Sequence, residues 1–98
     1  MPLVYVLNRG GHDYSEASRF GNVVYCTDGP LDKWDVSQMY REFSVSLATS
    51  EPDDYIVLTS LASLCSVACA IFAHMHGRLN LLIYKDGSYV ERKIVLNT

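Results

Sequence analysis

The chain has 98 residues, enough for one hydrophobic core and too few for a second folding unit. Its net charge of −3 excludes a general nucleic-acid binder, since neutralising many phosphates needs a basic face, although a small nucleotide held by backbone N–H groups stays compatible. With 49% hydrophobic and 19% charged residues, the composition is that of a globular domain with a buried central sheet, a dimer interface, or both.

Residues 3–7 form a continuous apolar run, the pattern of a strand buried on both faces. No basic region followed by a long apolar stretch opens the chain, so no secretory signal is read. Gly10-Gly11 ends the strand, and residues 14–20 suit a short helix capped by Asp13 and closed by Gly21. A second strand over residues 23–26 stops at Thr27-Asp28-Gly29-Pro30. Thr27 and Asp28 suit either contacts to a ribose or plain turn positions.

Residues 33–49 carry the clearest helical period, with Val36, Met39, Tyr40, Phe43 and Leu47 on one face and Asp32 as the expected cap. After Pro52, a third strand spans residues 55–59. The next helix, Ala62–His76, is apolar around almost its whole circumference and must be buried on more than one side. Its small residues would let it approach a sheet on one side and a second subunit on the other. That predicts a homodimer through Ala62–His76. The uncharged stretch 55–73 is long enough to span a bilayer, but its β-branched start and serine interruptions fit strand, turn and helix, so no membrane span is expected. Gly77 stops the helix. Residues 79–84 and 88–96 read as strands joined at Asp86-Gly87, a two-residue hairpin signal, the last being a half-exposed edge.

This order predicts a single α/β domain over residues 1–98: a small Rossmann-like, mostly parallel sheet flanked by helices, with a C-terminal antiparallel β-hairpin. The ends of the first and third strands then lie together at the switch point, where open α/β sheets hold ligands. Gly10 and Gly11 would permit unusual backbone conformations and close approach of a phosphate. Arg9 would pair with that phosphate, and Asn8 would read a base or ribose edge. His12 is the candidate general acid or base. Ser60 and Ser63 would cap the second helix and, with its first N–H groups, hold an anion, with Thr59 beside them as a ligand contact. A plain strand-to-helix turn accounts equally well for the glycines, and simple capping for the serines.

Cys26, Cys65 and Cys69 are an odd number, two of them in apolar segments, and read as reduced core residues in a cytoplasmic setting. Cys65 and Cys69 with His74 and His76 lack the convergence a metal site needs, so neither metal nor cofactor is expected. Tyr5, Tyr25, Tyr55, Tyr84 and Tyr89 suit sheet faces and interfaces, with one or two available for stacking on a base.

The strand leading into Asn8-Arg9-Gly10-Gly11-His12, with Asp54-Tyr55-Ile56-Val57-Leu58-Thr59-Ser60-Leu61-Ala62-Ser63 running into an Ala-rich helix, resembles small CRISPR-associated Rossmann-fold proteins. These include ring nucleases and viral proteins that bind or degrade cyclic nucleotide signals. The resemblance implies ligand contacts from residues 8–12 and 59–63 of two subunits around a shared cleft, and a host-cytoplasmic location for a viral chain. On that basis the chain is expected to sequester a small nucleotide or to cleave it as a metal-independent phosphodiesterase, with Arg9 and the helix N-terminus near Ser60–Ser63 stabilising the charge that develops on phosphorus and His12 moving protons. The alternative is a protein-interaction module docking through its apolar surface. Its motive is the all-round apolar helix, which a ligand site does not explain.

Overall fold

The computed structural model describes residues 1–96 as a five-stranded sheet in the order β2-β1-β3-β4-β5. The strands are β1 (Leu3–Val6), β2 (Asn22–Tyr25), β3 (Tyr55–Val57), β4 (Arg78–Lys85) and β5 (Ser88–Val95). The first four run parallel and β5 returns antiparallel beside β4, the mixed α/β arrangement expected from the sequence. Helices α1 (Val36–Leu47) and α2 (Ala62–His76) and a 3-10 turn at Ser15–Arg19 make the connections.

Alternation along β1 explains why it is apolar throughout. Tyr5 and Leu7 point into a core with Met39, Phe43 and Leu47 of α1 and Leu64, Ala68, Ile71 and Phe72 of α2. Val4 and Val6 point the other way, into a second cluster with Ala17, Val57, Leu82 and Tyr89. The period-two geometry of a strand thus serves two cores at once.

The two faces are covered unequally. Both helices lie on one face, and α2 buries Leu64, Ala68, Ile71 and Phe72 while Cys65, Val67 and Cys69 pack partly against the same core. Its outer face carries small or polar residues, Ala62, Ser66, Ala70 and His74, all exposed. On the other face Ala17 of the 3-10 turn packs with Val4, Val6, Val57, Leu82 and Tyr89 of the strands. Residues 7–21 are too few for a crossover with a full helix, so the chain closes i+3 bonds from Ala17 to Tyr14, Phe20 to Ala17 and Gly21 to Ser18. Asp13 starts this turn by accepting the Ser15 N–H at 2.8 Å.

Local chemistry sets the ends of the elements. Asp35, rather than the expected Asp32, caps α1 by accepting the Gln38 N–H at 3.1 Å; Asp32 accepts the Trp34 N–H in the preceding turn, so the helix begins at Val36, the first residue of its apolar period, rather than at residue 33. At the C-terminus of α2, Gly77 takes φ 68° and donates to the Ala73 carbonyl at 2.8 Å. Asp86 and Gly87 both have positive φ, 53° and 88°, as a two-residue hairpin turn requires.

At the N-terminal end of the sheet, Asn80 is 1% exposed and its amide donates to the carbonyls of Pro52 and Asp54 at 2.7 and 2.8 Å. Asp54 in turn accepts the N–H groups of Leu3 and Glu51 at 2.9 and 2.8 Å. This polar lattice ties β1, β3 and β4 together at the end of the sheet opposite the C-terminal ends of its parallel strands. Among the described residues, no helix is long and apolar enough to cross a membrane.

Candidate functional site

β1 and β3 pair directly through Val4–Tyr55 and Tyr5–Ile56, so their C-terminal ends open side by side. A cavity of about 590 Å³ lies there, within the range of small-molecule sites. Asn8, Gly10, Gly11 and His12 line it from the loop after β1, and Thr59 and Ser60 from the loop after β3. Two segments about fifty residues apart therefore face one cleft, as the topology of a doubly wound sheet dictates.

Gly10 and Gly11 have ordinary, not left-handed, φ, and a methyl group at either would meet no atom within 4 Å. The expectation of an unusual backbone there is corrected. What the pair supplies is open space beside an exposed main chain.

Arg9 is turned away from the cavity. Its guanidinium lies 3.9 Å from the centre of the Tyr25 ring and 4.0 Å from the Asp28 carboxylate, and its main chain continues the β1–β2 ladder by donating to Thr27 and accepting from Gly29. Asn8 lines the cavity but its side chain is engaged: Nδ2 donates to the Gly29 carbonyl at 3.1 Å, while Oδ1 lies 2.7 Å from the Thr27 hydroxyl. Thr27 also reaches the Leu7 carbonyl at 2.8 Å. These contacts make Asn8 and Thr27 a clamp between two loops, and Thr27 a turn residue.

Ser63 points out of the cleft, donating to the Lys33 carbonyl at 2.8 Å. The residue at the cap position of α2 is Leu61, and no side chain caps the helix. The expected capping by Ser60 and Ser63 is therefore corrected. Thr59 instead stabilises the approach to α2 by accepting the Leu61 N–H at 3.1 Å, with the Cys65 sulfur 3.3 Å from its own N–H.

Four aromatic rings complete the cleft. His12 packs edge-on against Tyr14 at 4.8 Å and Tyr84 at 6.2 Å, and Tyr84 packs against Tyr89 at 5.2 Å. β3 ends opposite Leu82, so β4 runs three residues beyond it and carries Ile83 and Tyr84 past the sheet edge as an overhanging wall. Tyr84 and Tyr89 are cross-strand partners, a pairing fixed by the two-residue turn between them. The sequence offered both among the tyrosines available for stacking but did not place them at this cleft, although Tyr84 and Tyr89 flank Asp86-Gly87 symmetrically and that spacing alone places them opposite each other.

Burial holds the phenols of Tyr14 and Tyr89 above the ordinary tyrosine range, so both remain neutral donors at physiological pH. The lining contains no Asp, Glu, Lys or Arg, and His12 is its only imidazole. No cluster of three or more His, Cys, Asp or Glu able to hold a metal ion occurs among the described residues.

A second concavity runs between α1 and α2, lined by Val36, Tyr40, Val67, Ala70 and Met75 among others. Val36, Tyr40 and Met75 are exposed there, and Trp34 nearby in sequence is 83% exposed.

A family model described as phage Pam3 gp32-like protein matches residues 2–97. No curated protein and no solved structure matches the chain.

Proposed function

We propose, for a chain that belongs to the family of phage Pam3 gp32-like proteins, the capture of a small nucleotide, cyclic signalling nucleotides included, in the cleft at the ends of β1 and β3. The observation that carries this reading is the convergence of the loop at residues 8–12 and the turn at residues 59–61 on one 590 Å³ cavity at the switch point of the sheet. Exposed main chain at Gly10 and Gly11 gives a phosphate N–H groups to approach, and the aromatic walls accept a base. Sequestration fits better than cleavage. Arg9 is held against Tyr25 and Asp28, Ser63 is committed to Lys33, and ring contacts rather than an acidic partner hold His12. A reducing cytoplasm suits the three free thiols Cys26, Cys65 and Cys69.

A thermal-shift screen against mono-, di- and cyclic nucleotides tests the proposal. A ligand at 100 times its dissociation constant stabilises by about 2.7 kcal/mol. Gly11→Val should abolish the shift while leaving the unliganded protein folded, because nothing lies within 4 Å of the added carbon. No shift with any nucleotide would reject the reading.

A second reading, docking of a protein partner, is favoured by the exposed Val36, Tyr40 and Met75 beside the groove between the helices. A second copy of the chain is the partner expected from the sequence. Sedimentation of the wild type against Ala70→Glu distinguishes it: a dimer in the first and a monomer in the second supports this surface, whereas a monomeric wild type at high concentration removes it.

A further inference from the structure

We infer that the cleft recognises its ligand chiefly through a planar heterocyclic base, stacked on Tyr84 beneath the overhanging hairpin, and only secondarily through phosphate. This inference rests on the nucleotide reading above and names the part of the ligand that supplies its affinity.

Three features of the cavity support it. Its lining has no Asp, Glu, Lys or Arg, and the one arginine in the adjoining loop is turned toward Tyr25 and Asp28, so a polyphosphate would find no lysine or arginine partner in the wall. Aromatic surface, by contrast, is abundant. Tyr84 is 54% exposed while forming part of the wall, so a large share of the side chain is open to a ligand, and His12 stands at 89° to it. Finally, the wall is held in place: Tyr84 packs on Tyr89, and the Tyr89 main chain is gripped on both sides, its N–H by Glu16 at 2.8 Å and its carbonyl by Arg19 at 2.7 Å. A stacking surface fixed before the ligand arrives loses little freedom on binding.

Tyr84 is thus the specificity-determining residue, and the phenol hydroxyl is dispensable because stacking uses the ring face. Isothermal calorimetry with AMP, GMP, CMP, UMP, 3′,5′-cyclic AMP and ribose 5-phosphate reads this directly. At least one nucleotide binds the wild type and ribose 5-phosphate binds at least tenfold more weakly. Tyr84→Ala and Tyr84→Leu each weaken that nucleotide about 5- to 150-fold, the range for losing one stacking ring, while Tyr84→Phe binds like the wild type. Circular dichroism confirms that the variants fold, as exposure of the side chain predicts. If ribose 5-phosphate binds as tightly as the nucleotide, or if Tyr84→Ala and Tyr84→Leu keep full affinity while Gly11→Val loses it, base recognition is overturned and phosphate capture stands. If no nucleotide binds the wild type, both fall together.

Discussion

Glu16 and Tyr89, 73 positions apart, are joined by a hydrogen bond in which the Tyr89 N–H donates to a Glu16 carboxylate oxygen at 2.8 Å. The bond fastens the edge strand β5 to the 3-10 turn that bridges β1 and β2. Arg19 completes the grip from the same turn, bonding Glu16 at 2.8 Å and the Tyr89 carbonyl at 2.7 Å. Two side chains therefore satisfy edge groups that would otherwise recruit another strand.

This arrangement makes one part of the stability acid-sensitive. The bond from Tyr89 first, and that from Arg19 second, hold the Glu16 carboxyl below its ordinary value. Because the folded pKa is depressed, the contribution is fully present above the ordinary glutamate range and is lost as the pH falls through the folded value. Glu16→Gln should lower Tm at pH 7 and converge with the wild type at low pH. Equal separation of the two Tm curves at every pH would contradict this.

Asn80→Leu should destabilise the fold strongly. It leaves the carbonyls of Pro52 and Asp54 without their donor, at a cost of about 1–3 kcal/mol for the buried Asp54 carbonyl. Urea unfolding measures the loss. A change under about 0.5 kcal/mol would mean that water replaces the amide.

The glycines separate sharply by function. A methyl group at Gly21 would lie 2.2 Å from the Pro2 carbonyl oxygen, which itself accepts the Asn22 N–H at 3.0 Å, so Gly21→Ala must push β2 away from the start of β1. Gly10→Ala meets nothing within 4 Å. Thermal denaturation should therefore show a large loss for Gly21→Ala and little change for Gly10→Ala, although both glycines follow a short structured segment.

Burial raises the Cys26 thiol to about 12 and the Cys69 thiol to about 11. Thiolate is the reactive form, so neither should be labelled by a thiol-directed reagent at pH 8 until the chain is unfolded. Peptide mass spectrometry after labelling in native and denaturing buffer reports each site. Rapid native labelling of Cys26 would show that β2, the other edge of the sheet, opens readily.

Much of this architecture was legible because burial and periodicity are local signals. The Ala62–His76 helix, the hairpin at Asp86-Gly87 and the pairing of the first and third strands follow from apolar runs and turn residues. The positions of residues 8–12 and 59–60 around one cleft follow from topology. Side-chain direction was not legible. Arg9 looked like a phosphate ligand by charge, yet Tyr25 and Asp28, sixteen and nineteen positions later, supply a closer partner on β2. Ser63 was similarly claimed by the Lys33 carbonyl, thirty positions earlier. Competition from a distant segment has no signature in a local window. The short helix expected over residues 14–20 is there as a 3-10 helix at Ser15–Arg19, and its tighter form was not legible because it is set by the space between two adjacent parallel strands.

The overhang of β4 and β5 beyond the end of β3 places one wall of the cleft on the most permissive part of the chain. Asp86 and Gly87 sit at an exposed tip and carry no core contact. Adding or removing a pair of residues there would lengthen or shorten the wall while keeping the strand register and both cores. The size of the cleft is thus set by one hairpin tip, while the two cores that hold the fold lie elsewhere.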